Sequence, residues 1–262
     1  MQEFDFSEFE KINFGCGYDK KPGYLNVDVD VACKPDFLIP IGDLSSLPKH
    51  HFQEVYAKDV LEHIPRSKSL ESLLEFASLL RLGGTLIVQT TSITQVAKKL
   101  EENLSFADQF GWTTCLFGNQ AHSGDFHYTG FTETTLSVHL LAAGFQIVEK
   151  GMEDDWMMRY ECRLVDSWDD CLNSVKTDTE FLEFAYINFF HRPIDDVGRI
   201  HFGGLLREGD DRYSVLRDIV SSPERLYVTA RRIGAFKLGV FAQTDKSDYS
   251  SSPASVSGAG VM

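Results

Sequence analysis

Residues Lys11–Asp28 read K-I-N-F-G-C-G-Y-D-K-K-P-G-Y-L-N-V-D, and this stretch decides the fold that the sequence predicts. Apolar residues alternate along Lys11–Phe14, which indicates a short strand. Gly15-Cys16-Gly17 ends it, and the two glycines allow a sharp turn close to a ligand because neither carries a Cβ atom. A second short strand, Leu25–Val27, ends at Asp28. A glycine turn after one strand and a carboxylate after the next is the layout that holds a ribose-bearing cofactor.

The spacing departs from the fingerprint of dinucleotide-binding proteins. Lys20 stands where the third glycine of G-x-G-x-x-G belongs, and Asp28 comes sooner than the acid of that motif. Pro22-Gly23 leaves no room for a full helix between the two strands. A dehydrogenase is therefore the weaker alternative.

Five blocks of sequence occur in the order and spacing of one known family, all within residues 1–165. They are N-F-G-C-G, G-Y-L-N-V-D, G-D-L-S-S-L-P, V-Y-A-K-D-V-L-E-H-I and L-L-R-L-G-G-T-L-I-V. In this ordered set the chain resembles class I S-adenosylmethionine-dependent methyltransferases. It is most similar to a predicted bacterial subgroup in which a short proline-glycine loop joins the first two strands. The resemblance implies an α/β fold, a Rossmann-like sheet covered by helices, with S-adenosylmethionine as the cofactor.

The resemblance also implies which residues bind the cofactor. An acid at Asp43, with the backbone amide of the next residue beside it, would bind the adenine amino group. The alternative is that Asp43 is a turn residue before Ser45-Ser46. Cys16 is expected to be a small filler in the loop rather than a nucleophile. The expected cofactor-binding residues are Gly15, Cys16, Gly17, Asp28, Asp43, Leu44 and Asp59.

Polar residues follow the central strand, which is predicted at Glu54–Ala57. Open α/β sheets bind ligands at the carboxyl ends of their strands, and Asp59, Glu62 and His63 lie at this end. Glu62 and His63 could cap the turn and orient the loop before Pro65, or they could line the methyl-transfer site. The sequence leaves both interpretations open.

The middle of the chain alternates helices and strands, which favours a parallel sheet covered on both faces. Apolar residues at helical spacing predict a helix over Ser69–Leu82 that Gly83-Gly84 stops. The other predicted elements are a strand at Thr85–Gln89, a helix at Thr132–Ala143 capped by Thr132, and strands at Phe145–Lys150 and Arg159–Leu164. In the resembled family, the final hairpin reverses one strand of an otherwise parallel sheet.

The irregular stretch Thr90–Tyr128 lies where a substrate lid would sit. His122, Asp125 and His127 have the residue types of metal ligands, but no motif of known geometry matches, so no metal is expected. A catalytic base or ordinary loop histidines are the alternatives. His63, His122 and His127 are the candidates for a base, because histidine titrates near neutral pH.

The pattern changes near Asp166, where helices alone are predicted. They are Thr179–Phe190, Asp195–Leu206 and Arg212–Val220, and Ser221–Glu224 is expected to end them. Y-I-N-F-F-H-R-P-I-D-D-V-G, R-E-G and S-S-P-E resemble an uncharacterised bacterial helical domain similar to phycobilisome linker-type domains. We therefore expect a methyltransferase domain over residues 1–165, a small three-helix domain over 166–234 and a disordered tail over 235–262.

Composition narrows the class of protein. The net charge of −14 argues against a nucleic-acid partner, and no apolar run is long enough for a membrane span. Five cysteines without a C-x-x-C motif, and an acidic N-terminus unlike a signal peptide, favour a reduced cytoplasmic protein. The expected function is methyl transfer to an unidentified acceptor, a glycan or small-metabolite hydroxyl. The alternatives are a cofactor-binding protein without catalysis and an interaction module carried by the C-terminal helices. Oligomeric state cannot be read from the sequence.

Overall fold

A computed structural model describes residues 4–39, 44–102, 104–121, 124–166, 172 and 175–235. Its sheet has seven strands in the order β3-β2-β1-β4-β5-β7-β6. The strands are β1 (Lys11–Phe14), β2 (Leu25–Asp28), β3 (Phe37–Leu38), β4 (Phe52–Lys58), β5 (Leu80–Thr91), β6 (Phe145–Glu153) and β7 (Met157–Leu164). The first five are parallel, and β7 runs antiparallel to both β5 and β6. The predicted α/β, Rossmann-like fold with a reversed final hairpin is confirmed.

The described residues form eight α-helices, and the first and fourth of them pack on the sheet. They are α1 (Ser69–Leu79), α2 (Ile93–Leu100), α3 (Phe106–Phe117), α4 (Glu133–Ala142), α5 (Asp178–Phe190), α6 (Asp196–Glu208), α7 (Arg212–Val220) and α8 (Pro223–Arg232). Most of them begin where the sequence supplies a side-chain acceptor for a backbone N–H group of the first turn. The capping residues of this kind are Ser92, Ser105, Thr132, Thr177, Asp195 and Asp211.

The register of the central strands explains where the site lies. Ile12 of β1 pairs with Leu25 of β2 on one side and with Val55 of β4 on the other, and all three side chains are fully buried. Parallel pairing brings the carboxyl ends of these strands to one edge of the sheet. The glycine loop, Asp28 and the residues after β4 therefore meet there.

The first helix ends earlier than the sequence predicts. It stops at Leu79, and Leu80 already has the extended backbone of β5. Gly83, with φ +84°, lies within β5 where the pairing with β4 shifts, so Gly83-Gly84 belongs to a bulge and does not cap a helix. The prediction was wrong here because Leu80 continues the helical spacing of apolar residues in the sequence, although it is buried as part of the strand.

The stretch predicted to be irregular contains two helices, α2 and α3. Ser92 and Ser105 begin them by accepting backbone N–H groups three residues on. No residue of α3 is buried, and Phe106, Phe110 and Phe117 are exposed. The sequence did not predict α3 because its apolar residues do not form a buried stripe at helical spacing.

The C-terminal part has four described helices where the sequence predicted three. Ser222 and Pro223 were expected to end the helices, yet they begin α8, since proline suits the first turn of a helix. Buried residues of α5 and α7 join the same hydrophobic core as those of α4 and the sheet. The domain boundary near residue 165 stays a prediction, and the predicted tail lies outside the described residues apart from Ala235. In the described part of the chain, every helix is too short or too polar to cross a membrane.

Candidate functional site

The turn after β1 needs its two glycines for different reasons. Gly15 has φ +65° and Gly17 has φ +49°, a region that side chains rarely adopt. A Cβ atom on Gly15 would lie 2.6 Å from Cγ2 of Val60, whereas one on Gly17 would meet open space. Between them, the Cys16 amide donates to the carbonyl of Val27, which ties the turn to β2. Gly15 is thus packed against the chain, and Gly17 borders a space where a ligand can approach.

Asp28 is held in place by two backbone amides. Its Oδ2 accepts the Gly17 N–H at 2.7 Å, and its Oδ1 accepts the Asp30 N–H at 2.8 Å. The side chain is only partly buried. Since a carboxylate has about four acceptor positions, two remain for further donors.

A cavity of about 830 Å³ lies at this edge of the sheet. Such a volume is in the range of small-molecule and cofactor pockets. The predicted cofactor residues that the structure describes all line it, namely Gly15, Cys16, Gly17, Asp28, Leu44 and Asp59. Asp43 lies outside the described residues, so its part in binding adenine stays a prediction.

Cys16 is buried in the cavity wall and is not activated. Desolvation, and next the charge of Asp28, raise the pKa of the Cys16 thiol to about 11. A thiol with this pKa is protonated at neutral pH, and the thiolate is the nucleophilic form. The role of Cys16 as a small filler of the loop stays a prediction.

Two buried asparagines hold the loop that replaces a helix between β1 and β2. Asn13 Nδ2 donates to the carbonyl of Asp19 at 2.9 Å and to Asn26 Oδ1 at 3.0 Å. The same oxygen of Asn26 accepts the Lys21 N–H, and its Nδ2 donates to Asp36 Oδ2. Sequence reasoning missed this network, although a polar residue at a buried strand position is a signal for one.

The residues after β4 form the other end of the cavity. Asp59 has φ +53° and donates its amide to the carbonyl of Gln89, while its side chain is exposed to the cavity. Desolvation raises the pKa of Asp59, and Lys58 and His63 act against that shift. His63 lines the same cavity.

The structure brings His63 and His127 together. Their ring centroids lie 4.7 Å apart and the rings are nearly perpendicular. Nδ1 of His63 is 3.2 Å from the carbonyl of Phe126, and Nδ1 of His127 is 3.1 Å from the carbonyl of Cys115. A carbonyl only accepts, so each Nδ1 is the donor and each Nε2 carries the lone pair when the ring is neutral.

The protonation of His127 suits a base. Burial, and next the charge of His63, lower the pKa of His127 below its usual 6.5. At neutral pH this imidazole is therefore mostly unprotonated. His122 lies outside the described residues. Within the described ranges, the His, Cys, Asp and Glu side chains form no group that could hold a metal ion.

Glu62 is a buried carboxyl, and the sequence did not predict its burial. It is 2% exposed, and its Oε2 accepts the hydroxyl of Thr90 at 2.9 Å. Among the described residues, its Oε1 has no hydrogen-bond partner, and desolvation raises the pKa of Glu62 to about 7. Its backbone carbonyl accepts the amides of Tyr128 and Thr129. Glu62 thus joins the turn after β4 to the segment that carries His127, whereas His63 borders the cavity.

The solved structures that are similar to this chain include methyltransferases, at low sequence identity. No protein-family model matches the chain, and no curated protein sequence matches it. An S-adenosylmethionine-dependent methyltransferase from Methanosarcina mazei is 14% identical over 63% of this chain and 96% of its own, with a TM-score of 0.47. Another is the 1,6-didemethyltoxoflavin-N1-methyltransferase of Burkholderia thailandensis, solved with bound 1,6-didemethyltoxoflavin and S-adenosylhomocysteine. It is 16% identical over 60% of this chain and 71% of its own, with a TM-score of 0.42. A methyltransferase from Archaeoglobus fulgidus is 12% identical over 60% of this chain and 87% of its own, with a TM-score of 0.41. The function of this chain is therefore inferred from its own site.

Proposed function

We propose that this protein transfers a methyl group from S-adenosylmethionine to a small acceptor. One observation carries the proposal: the glycine turn and the Asp28 carboxylate, joined by the 2.7 Å hydrogen bond from Gly17, line one cavity at the carboxyl edge of the sheet. Open α/β sheets bind nucleotide-like ligands at this edge.

The residues present fit the cofactor. Asp28 has two acceptor positions left for the ribose hydroxyls. The open space beside Gly17 leaves room for the methionine part near the backbone. Ile39 and Leu44 supply an apolar wall for the adenine ring. When bound, the cofactor supplies an electrophilic methyl group on a positively charged sulfur.

The work left to the chain is mainly alignment. Methyl transfer is an in-line displacement, and holding the reacting groups in line can supply several kcal/mol of the barrier, at most roughly 7–11. The cavity is open to an acceptor near Asp59 and His63, both of which line it. An acceptor placed there would lie beyond the glycine turn, on the side where β4 ends.

An acceptor that must lose a proton would find a base in the histidine pair. His63 lines the cavity, and His127 lies 4.7 Å behind it between ring centroids. We assign proton removal to Nε2 of His63, which has the His127 ring as its neighbour. The proposed acceptor is a hydroxyl of a glycan or a small metabolite, and the proposed location is the cytoplasm.

The finer features of the resemblance belong to the same proposal. They are membership of the bacterial subgroup and the likeness of the C-terminal helices to phycobilisome linker-type domains. They rest mainly on the sequence blocks. The short Lys20–Tyr24 loop between β1 and β2, held by Asn13 and Asn26, supports the first of them.

Turnover tests the proposal. The full chain is incubated with methyl-labelled S-adenosylmethionine and a panel of hydroxyl and amine acceptors, and release of S-adenosylhomocysteine is measured at several pH values. We expect acceptor-dependent release, and His63→Gln should abolish most of it. Binding of the cofactor without release for any acceptor would instead support a binding protein without catalysis.

A further inference from the structure

One wall of the cavity carries two carboxylates from the first helix. Glu71 and Glu75 lie one turn apart on α1, and both line the cavity together with Lys68. Like charges at this spacing repel each other. Two neighbouring carboxylates in a cavity wall therefore need cations close by.

Three cations surround these carboxylates, and one comes from the C-terminal helices. Lys68 Nζ lies 2.6 Å from Glu71 Oε2, and Lys49 Nζ lies 3.0 Å from Glu75 Oε2. The two remaining oxygens face Arg217 of α7. Its Nε is 3.8 Å from Glu71 Oε1, and its Nη1 is 3.9 Å from Glu75 Oε1.

Arg217 acts here as a shared charge. Both distances exceed a hydrogen bond, and the buried Nε has no hydrogen-bond partner within the described ranges. One guanidinium is thus placed between two carboxylates that belong to another part of the chain.

We propose that Arg217 is a positioning residue of the cofactor cavity: it holds Glu71 and Glu75 side by side and offsets their charge. The inference rests on the proposed function and extends it, because it makes the C-terminal helices part of the binding site. The charge of this wall should affect the relative affinities for the two forms of the cofactor. S-adenosylmethionine carries one more positive charge than S-adenosylhomocysteine, so a more negative wall favours the first ligand over the second.

The experiment measures the dissociation constants of both ligands by calorimetry, with the full chain at low ionic strength. In Arg217→Gln, the ratio of the S-adenosylhomocysteine constant to the S-adenosylmethionine constant should rise about threefold or more, since a cation near the site has been removed. The rise should shrink at high salt. A merely structural role would weaken both ligands in proportion and leave the ratio unchanged.

Arg212→Gln is the matched control. Arg212 is another half-buried arginine of α7, and it binds Asp178 and the carbonyls of Val175 and Lys176, away from the cavity. Its loss should leave the ratio unaltered.

Glu75→Gln gives the test a second arm of opposite sign, and it can overturn the inference even if Arg217→Gln does not fold. It makes the wall less negative, so the ratio should fall. An unaltered ratio in either folded variant, with normal binding by the wild type, would overturn the role of Arg217 alone. A wild-type chain that binds neither ligand would refute the proposed function and this inference with it.

Discussion

At the scale of single residues, the most direct prediction concerns Asp28. A hydrogen bond to a charged group contributes roughly 1.5–3 kcal/mol, and about 1.4 kcal/mol is tenfold in affinity. Asp28→Ala should therefore weaken S-adenosylhomocysteine binding at least about tenfold. Asp30→Ala is the control, because Asp30 lines the same cavity but its Oδ1 accepts the Ala32 amide. Calorimetry and circular dichroism measure affinity and fold. Equal affinity in wild type and Asp28→Ala, with a loss in Asp30→Ala, would move the ribose contact to Asp30.

Glu62 predicts an effect of pH on stability. Its pKa is raised from 4.5 to about 7, so the folded state binds more protons than the unfolded state between these values. Stability that Glu62 contributes at low pH is therefore lost as pH rises through this window. A shift of this size corresponds to about 3 kcal/mol as an upper bound.

Glu62→Gln tests this linkage. The amide oxygen keeps an acceptor for Thr90 but cannot ionise. The free energy of unfolding of the variant, relative to wild type, should therefore increase between pH 4.5 and pH 8. Denaturant titrations at several pH values measure the difference. A difference that is constant across this range would mean that the Glu62 pKa is not raised.

Sequence reasoning reached the residues of the site that lie in local motifs. Gly15, Gly17, Asp28 and His63 lie at a strand end or within a few residues after one, and all of them line one cavity. The pairing of His63 with His127 could not be read from the sequence, because it depends on how a distant segment folds back onto the turn after β4. The burial of Glu62 has the same cause, since Thr90 and Tyr128 enclose it from other parts of the chain.

At the scale of elements, Arg225 joins α8 to the rest of the molecule. It is 6% exposed, and its guanidinium donates to the carbonyls of Ala142, at the end of α4, and Phe189, near the end of α5. Arg225→Met should cost about 1–3 kcal/mol of stability because it leaves buried carbonyls unpaired. Arg207→Met, at an exposed position on α6, should change stability by less than about 0.5 kcal/mol. Equal effects of the two changes on chemical denaturation would contradict this account.

Element types were easier to predict than element ends. Alternating apolar residues identified β1 and β2, and Thr132 with Gly144 bounded α4 correctly. The end of α1 was missed because Leu80 is apolar in both helix and strand patterns. The start of α8 was missed because Ser222-Pro223 signals both the end of one helix and the start of the next.

At the scale of the whole molecule, the relation of the C-terminal helices to the sheet is the main question. Residues 1–165 contain Asp28 and the glycine turn but lack Arg217 and Arg225. We expect this fragment to bind the cofactor but to be less stable than the full chain, since the shared core and the contacts of Arg217 and Arg225 are lost. Thermal denaturation and calorimetry of both proteins check this. A fragment as stable as the full chain would support a fully separate helical domain.

The central claim is that the cavity holds S-adenosylmethionine, and one calorimetric titration of the full chain tests it directly. We predict that S-adenosylmethionine binds at one site per chain, that S-adenosylhomocysteine displaces it, and that NAD does not bind. No detectable binding of S-adenosylmethionine at millimolar concentration by a folded protein, or binding of NAD in its place, would contradict the account.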